Sequence, residues 1–151
     1  MGDTAELKAI KEGTLDEEGS KYKKVNYKFI NGKKVTVLKM KDSSRSTKMP
    51  LYTNTSDVLL MLNKEDEPIQ MSYYNTTSHQ RIKDFDWNHN HGKDYLKYDL
   101  HIHYYFNNSK SDEYSAEPNE NDKRTLKLIL KEFNYDYSKI NFDKDKTWYA
   151  N

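Results

Sequence analysis

Residues 97–106 read KYDLHIHYYF, and apolar and polar side chains alternate along most of this stretch, which is typical of a β-strand. One parity is apolar or aromatic: Tyr98, Leu100, Ile102, Tyr104 and Phe106. The other parity is mostly polar: Asp99, His101, His103 and Tyr105. The pattern predicts a half-buried strand that packs one face on a core and presents two imidazoles on the other.

A second stretch, residues 81–87, reads RIKDFDW and predicts another strand. Asp84 and Asp86 lie two residues apart, as the two histidines do, and a strand projects such a pair to one face. All five histidines of the chain lie between positions 79 and 103. We therefore predict that the aspartate pair and the histidine pair occupy adjacent strands and face one cavity.

These residue types suit a divalent metal ion. His101 and His103 could bind one ion from a single strand face, and Asp84 and Asp86 could add oxygen ligands. Mixed histidine and aspartate ligands suit zinc, manganese, nickel or ferrous iron. The competing interpretation is a solvated strand face on which the histidines only pair with nearby aspartates, so the cofactor stays open between a divalent metal and none.

The same histidines also suit a reaction without metal. One neutral and one protonated imidazole can act as base and acid when RNA is cleaved through its 2′-hydroxyl. Lys93 or Arg81 could then stabilise the negative charge of the transition state. The sequence alone does not decide between this chemistry and the metal-dependent one.

A basic hairpin precedes these strands. Residues 20–48 hold ten lysines and arginines against Asp42 as the one acid. Asn31-Gly32 is a strong hairpin signal because both residues tolerate positive φ, so residues 22–30 and 33–40 are predicted to pair. We expect this hairpin to bind nucleic acid or another partner through Lys23, Lys24, Tyr27, Lys33 and Lys34. The alternative is a solvated hairpin whose lysines protect an exposed edge.

The remaining pattern predicts one α+β domain. Residues 58–62 fit a helix or a strand, residues 69–74 fit a strand, and residues 107–121 read as a linker or long loop. Leucine, isoleucine and phenylalanine recur at helical spacing over residues 122–133, with Asn119 or Asn121 as the cap. We expect an antiparallel sheet built from hairpins with this C-terminal helix packed on one face. Residues 1–21 should be an acidic, partly flexible lead-in, and residues 22–151 a single domain that includes the 50–106 motif region.

Composition excludes several classes of function. There is no cysteine, which excludes disulfides and thiolate metal sites. No apolar run approaches the roughly 18–20 residues of a membrane span, and the acidic start lacks the features of a signal peptide. Five scattered glycines form no phosphate-binding loop, and no serine stands in a recognisable nucleophile elbow. We expect a cytoplasmic protein with no membrane partner.

Several segments together resemble a small domain of bacterial polymorphic toxins and of phage or mobile-element proteins. They read SD at 56–57, LNKE at 62–65, PIQMSYY at 68–74, KDFDWNH at 83–89 and HIHYY at 101–105. The shared pattern is an asparagine-lysine turn, a strand ending in an aromatic pair, a D-x-D-aromatic-x-H motif and an H-x-H-aromatic strand. The resemblance covers about residues 50–105.

The resemblance implies an α+β domain with nuclease activity. Its site would comprise Asp84, Asp86, His89, His101 and His103, whereas the chain's other two histidines fall outside the pattern. This chain departs from the pattern because it lacks a glycine around residues 75–79 and has a basic hairpin of its own. Two hypotheses stay open: a nuclease or other nucleic-acid-binding protein, or a non-enzymatic inhibitor of a host defence system, similar to an anti-CRISPR protein, that binds a host protein or nucleoprotein.

Overall fold

A mixed β-sheet and one helix form the part of the protein that the computed structural model describes, residues 22–40, 49–50, 52–53, 55–87, 98–106 and 109–142. The elements are, in chain order, β1 (Tyr22–Ile30), β2 (Lys33–Met40), β3 (Val58–Leu62), β4 (Pro68–Tyr74), β5 (Arg81–Asp86), β6 (Tyr98–Asp99), β7 (His101–Phe106), β8 (Ser109–Ala116), α1 (Glu120–Glu132) and β9 (Ile140–Asn141). Seven strands form a sheet in the order β1-β2-β3-β4-β5-β7-β8, and β6 pairs with β9. The α+β class is therefore confirmed.

The predicted hairpin of β1 and β2 is confirmed, together with its bounds. Ile30 pairs with Lys33 across the turn, and the two strands run antiparallel. Asn31 has φ 52° and Gly32 has φ 80°, so both turn residues occupy the left-handed region that this sequence pair tolerates. A bulge between Lys24 and Asn26 interrupts the pairing once.

The sheet is not built from hairpins throughout. β2 and β3 are parallel neighbours, which corrects the expectation of an antiparallel sheet. Parallel neighbours need a long crossover connection, and residues 41–57 provide it. All five residues of β3 are buried, as expected for a strand that is covered on both faces. Pairing with β2 and β4 shows that residues 58–62 form a strand and not a helix.

Two further expectations were wrong. The polar stretch predicted as a linker contains β8, Ser109–Ala116, which pairs antiparallel with β7. The strand predicted over residues 97–106 is broken at Leu100, whose backbone N–H donates to the Asn141 carbonyl at 3.1 Å. β6 therefore joins β9 in a second, parallel pair, while β7 continues in the main sheet. The break at Leu100 follows from pairing with the distant β9, whereas β8 is held by antiparallel pairing with the strand immediately before it, despite its polar sequence.

The two faces of the main sheet carry different buried clusters. On the first face, the strands contribute residues of one buried cluster, among them Val37, Leu60, Met71, Phe85 and Ile102. The same cluster contains α1 and the residue after it, through Leu126, Ile129, Leu130 and Phe133. The second face belongs to a smaller cluster that comprises Tyr22, Leu38, Met49, Leu59, Met61, Ile69 and Tyr74.

The helix begins two residues before its predicted start and ends one residue before its predicted end. Asn119 caps it, as one of the two predicted caps: its side chain accepts from the Asp122 backbone N–H, and the Asp122 side chain accepts from the Asn119 backbone N–H. Within the described part of the chain, no helix has the length and apolar character needed to cross a membrane.

An ion pair joins the first turn of α1 to the sheet. Lys83 Nζ lies 3.0 Å from Asp122 Oδ1, and the Asp122 side chain is almost fully buried. The same ammonium lies 5.3 Å from the ring centroid of Tyr73 and 5.1 Å from that of Phe85. Burial, together with the negative charge of Asp122, raises the pKa of Tyr73 to about 12. Lys83 thus supplies the positive charge that a nearly buried carboxylate needs, in addition to the hydrogen bond from the Asn119 backbone.

We expect Tyr73→Phe to reduce the loss of stability at alkaline pH. The raised pKa means that folded Tyr73 keeps its proton between about pH 10 and pH 12, where the unfolded chain releases it. Wild-type stability should therefore fall over this range, and the variant should lose about 1 kcal/mol less between about pH 8 and pH 11. Urea unfolding at the two pH values measures this, with the exposed Tyr27→Phe as control. Equal losses in wild type and Tyr73→Phe would contradict the assignment.

Candidate metal centre

The register between β5 and β7 builds the site. Asp84 lies opposite His103, and Asp86 lies opposite His101. Directly opposed residues of an antiparallel pair project to the same side, so all four side chains share the second face of the sheet. The prediction that the aspartate and histidine pairs occupy adjacent strands on one face is confirmed. Phe85, between the two aspartates, is buried in the first-face cluster, as its parity predicted.

Three of these side chains converge. Asp86, His101 and His103 each offer one ligand atom, and these atoms lie within 4.8 Å of one another. His101 Nε2 lies 3.8 Å from Asp86 Oδ2, and the two imidazole rings meet nearly at right angles with centroids 4.8 Å apart. The His101 and Asp86 side chains are 15% and 16% exposed, so both are only partly accessible to solvent.

These separations are close to those of a metal centre. With metal–ligand bonds of about 2.0–2.1 Å, ligand atoms of a tetrahedral site lie roughly 3.3 Å apart. The His101 and Asp86 atoms would need to approach each other by about half an ångström, and other pairs in the group, at up to 4.8 Å, by as much as about 1.5 Å, which side-chain rotation would supply. Two imidazoles and one carboxylate also leave coordination positions open for water or a substrate.

Asp84 lies beside the triad in a buried hydrogen-bond network. The Ser72 hydroxyl donates to Asp84 Oδ1. The Tyr105 hydroxyl donates to Asp84 Oδ2 at 2.8 Å, and Gln70 Nε2 donates to the same oxygen at 3.4 Å. Asp84 therefore connects β4, β5 and β7 through its carboxylate, and the network holds the two strands that carry the triad.

Opposing influences act on the Asp84 carboxyl. Burial raises its pKa, because the charged form loses its hydration. The Arg81 guanidinium, the hydrogen bonds from Ser72 and Tyr105, and the charge of His103 act in the opposite direction, with burial the larger influence. Asp84 lies next to the three converging ligand atoms, but it is not one of the residues that supply them.

Arg81 places a guanidinium at the edge of this network. Its Nη1 atom lies 3.5 Å from Asp84 Oδ2, and its Cζ atom lies 4.0 Å from the ring centroid of Tyr105. Its Nε atom is buried and has no hydrogen-bond partner among the described residues. Stacking on Tyr105 therefore fixes the plane of a guanidinium that still has donor capacity.

Other predicted site residues lie elsewhere. His89 falls outside the described residues. The hairpin residues Lys23, Lys24, Tyr27, Lys33 and Lys34 lie on β1 and β2, at the opposite end of the strand order from β7. A cavity of about 280 Å³ lies away from the triad, between Trp87, the turn after β3 and residues 134–140. The cavity predicted at the aspartate and histidine pairs stays a prediction.

Sequence reasoning missed two polar residues that support the site. Ser72 and Gln70 lie two residues apart on β4 and pair with Asp84 and Asp86 respectively. Their alternation with Met71 was a visible signal for one polar face, and it becomes informative only once β4 is known to neighbour β5. The polar face therefore spans three strands, whereas the sequence indicated two.

Comparison with protein-family models, with curated proteins and with solved structures returns no match for this chain. The resemblance to a toxin-like or phage-encoded domain stays a prediction from the sequence. The observations that bear on function are the convergence of Asp86, His101 and His103 and the buried network around Asp84.

We expect Tyr105→Phe to destabilise the protein by about 1–3 kcal/mol, because it removes a hydroxyl that donates to a buried carboxylate. The phenylalanine ring keeps the stacking surface for Arg81. Tyr27→Phe is the matched control, since Tyr27 is exposed, and should change stability by less than about 0.5 kcal/mol. The free energy of unfolding from urea titration measures both variants. A Tyr105→Phe effect as small as the control would show that the network contributes nothing to stability.

Proposed function

We propose that this protein binds one divalent metal ion through Asp86, His101 and His103 and uses it to cleave phosphodiester bonds in nucleic acid. The observation that carries the proposal is the convergence of three ligand atoms within 4.8 Å on two adjacent strands. Three side chains of suitable chemistry, held by a paired register, are a better match to a ligand set than to a solvated strand face.

The donor set narrows the choice of metal. Imidazole and carboxylate ligands suit zinc, manganese, nickel and ferrous iron, and the absence of cysteine removes the thiolate preference that would single out zinc. A divalent ion held here would lower the pKa of a bound water, most strongly for zinc, and would polarise a phosphoryl oxygen. Both effects favour hydrolysis of a phosphodiester.

Neighbouring side chains supply the other requirements of such a reaction. Arg81 places a positive charge beside Asp84, and its side chain is 12% exposed, so the guanidinium can attract a phosphate oxygen on which charge develops. Asp84 is a positioning residue, because it lies opposite His103 and its hydrogen bonds connect β5 to its two neighbours, β4 and β7. His89, on the stretch that connects β5 with β6 and β7, is proposed as a further contributor from the sequence pattern.

The geometry favours the metal over a metal-free pair of histidines. In-line cleavage places the attacking and leaving oxygens on opposite sides of the phosphorus. His101 and His103 project from one strand face with ring centroids 4.8 Å apart, so both approach a substrate from the same side. Two imidazoles that approach from the same side are better placed to bind one ion together than to act separately as acid and base.

Nucleic acid is the proposed phosphodiester because of the charge on the hairpin. Residues 22–40 hold six lysines and no acid. Such a concentration attracts a polyanion and supplies the salt-dependent part of its binding. The resemblance to toxin-like and phage-encoded domains points to the same class of substrate.

Metal binding and cleavage together test the proposal. Metal-free protein titrated with zinc or manganese should bind one ion per chain and melt at a higher temperature with the ion bound. Loss of a residue that only hydrogen-bonds to a metal ligand usually weakens metal binding by about 10–100-fold. His101→Ala, His103→Ala and Asp86→Asn each remove a ligand itself, so each should weaken the binding by more than that. His79→Asn is the matched control: it removes a histidine outside the triad at a residue with φ 63°, a conformation that asparagine tolerates.

Cleavage of labelled RNA and DNA then separates the mechanisms. A chelator should abolish cleavage, an added divalent ion should restore it, and the triad variants should lower the rate by about 10²–10⁴. Cleavage that survives chelation and is lost in His101→Ala would assign the metal-free histidine mechanism instead. If the metal-loaded protein cleaves neither RNA nor DNA, the enzyme proposal fails and a non-enzymatic inhibitor that binds a host protein or nucleoprotein takes its place.

A further inference from the structure

The register of β1 and β2 divides the basic hairpin into two faces. Tyr27 pairs with Thr36, and Phe29 pairs with Lys34, so Tyr27, Phe29 and Lys34 share one face. Lys24 pairs with Leu38, which is buried in the second-face cluster, and therefore lies on the same side. Sequence reasoning grouped the hairpin lysines together, whereas the structure separates them.

The opposite face carries the other lysines. Lys23 pairs with Lys39, and Lys33 pairs with Ile30, on the side of the sheet that contains Val35 and Val37. Lys28, also on that side, donates to the Glu132 carbonyl at 2.6 Å and lies 5.4 Å from the Phe133 ring centroid. That face is therefore engaged with the end of α1.

On the second face of the sheet, the hairpin exposes aromatic rings beside ammonium groups. Phe29 is 70% exposed and Tyr27 is 56% exposed, which is unusual for such large rings. Their centroids lie 6.4 Å apart, and Lys34 Nζ lies 4.9 Å from the Tyr27 centroid. We call Lys24, Tyr27, Phe29 and Lys34 the aromatic–lysine surface.

We propose that the aromatic–lysine surface binds single-stranded nucleic acid, with bases stacked on Phe29 and Tyr27 and phosphates paired with Lys24 and Lys34. Exposed rings beside cations are the combination that holds a single strand, because every base has a face that can stack and every nucleotide has a charge. A duplex hides its base faces, so it would use only the lysines.

A polypeptide strand added to the edge of the sheet is the competing occupant, and two features disfavour it. β1 is an outer strand of the described sheet, but the bulge between Lys24 and Asn26 interrupts the regular backbone that such pairing needs. The lysines along β1 also repel a second copy of the same strand. The rings that need an occupant lie on the face of the sheet and not along its edge.

The surface and the metal centre share one face of one sheet. Successive pairings run from Tyr27 through Thr36, Leu59, Ser72 and Asp84 to His103. Five strand spacings of about 4.8 Å separate the two ends of this row, or roughly 24 Å. The inference that the aromatic–lysine surface holds the substrate rests on the proposed function, and it implies that the substrate is single-stranded. The inference that the surface binds single-stranded nucleic acid does not depend on the metal.

Fluorescence anisotropy with labelled single strands of about 12 nucleotides tests binding on the full chain in a chelator, where cleavage is blocked. Phe29→Ala should weaken binding by roughly 5–150-fold, the equivalent of losing one stacked base. Lys24→Gln with Lys34→Gln should lower the slope of log affinity against log salt by about 1.4, or about 0.7 for each phosphate contact to a single strand.

The hairpin contains its own control. Lys23→Gln with Lys33→Gln removes the same charge from the opposite face and should leave the slope nearly unchanged. Equal effects of the two double variants would overturn the proposal, because charge alone would then explain the binding. Displacement of the single strand by polyglutamate as readily as by unlabelled single strand, or tighter binding of duplex, would overturn it as well.

The two proposals can fail separately. Loss of binding in Phe29→Ala, in a protein that cleaves nothing when loaded with metal, would support the surface and refute the enzyme. Metal-dependent cleavage with unchanged binding by Phe29→Ala would support the enzyme and refute the surface. Circular dichroism of each variant shows that the sheet is intact, and the exposure of Phe29 makes its replacement tolerable.

Discussion

The antiparallel register between β5 and β7 is the constraint on which the site depends. A shift of one residue in either strand would turn its polar side chains to the other face and bring Phe85 or Ile102 out of the core. Because both apolar residues are buried in the first-face cluster, the register is fixed by burial on one side of the sheet. The placement of Asp86 beside His101 on the other side is a consequence of that burial.

Packing on the first face and chemistry on the second are thus linked through the same strands. On the first face, Lys83 and Asp122 form an almost buried ion pair that ties the start of α1 to β5. On the second face, Asp84 is buried with hydrogen bonds from Ser72 and Tyr105. Both carboxylates therefore have partners, which meets the general requirement that a buried charge be paired.

The second face also changes character from one end of the sheet to the other. Near β1 it exposes aromatic rings and ammonium groups, in the middle it is buried around Leu38, Leu59 and Met61, and near β7 it presents imidazoles and carboxylates. The proposed single-strand surface and the proposed metal centre therefore occupy opposite ends of one face. Taken together, the two proposals describe a protein that first captures a nucleic acid strand and then acts on it.

Patterns that act over a few residues were readable from the sequence. Asn31-Gly32 determined the hairpin because only residues tolerant of positive φ fit its turn, and the period-two alternation around His101 and around Asp84 placed each pair on one face. The parallel pairing of β2 with β3 and the break at Leu100 were decided by contacts between distant segments, on which local propensity is silent. The strand β8 was missed for another reason: it pairs with the preceding β7, but its polar sequence carries no strand pattern. The same holds for the triad: the sequence determined which side chains share a strand face, and only the tertiary structure decided that Asp86, and not Asp84, meets His101 and His103, because that choice depends on strand register and burial.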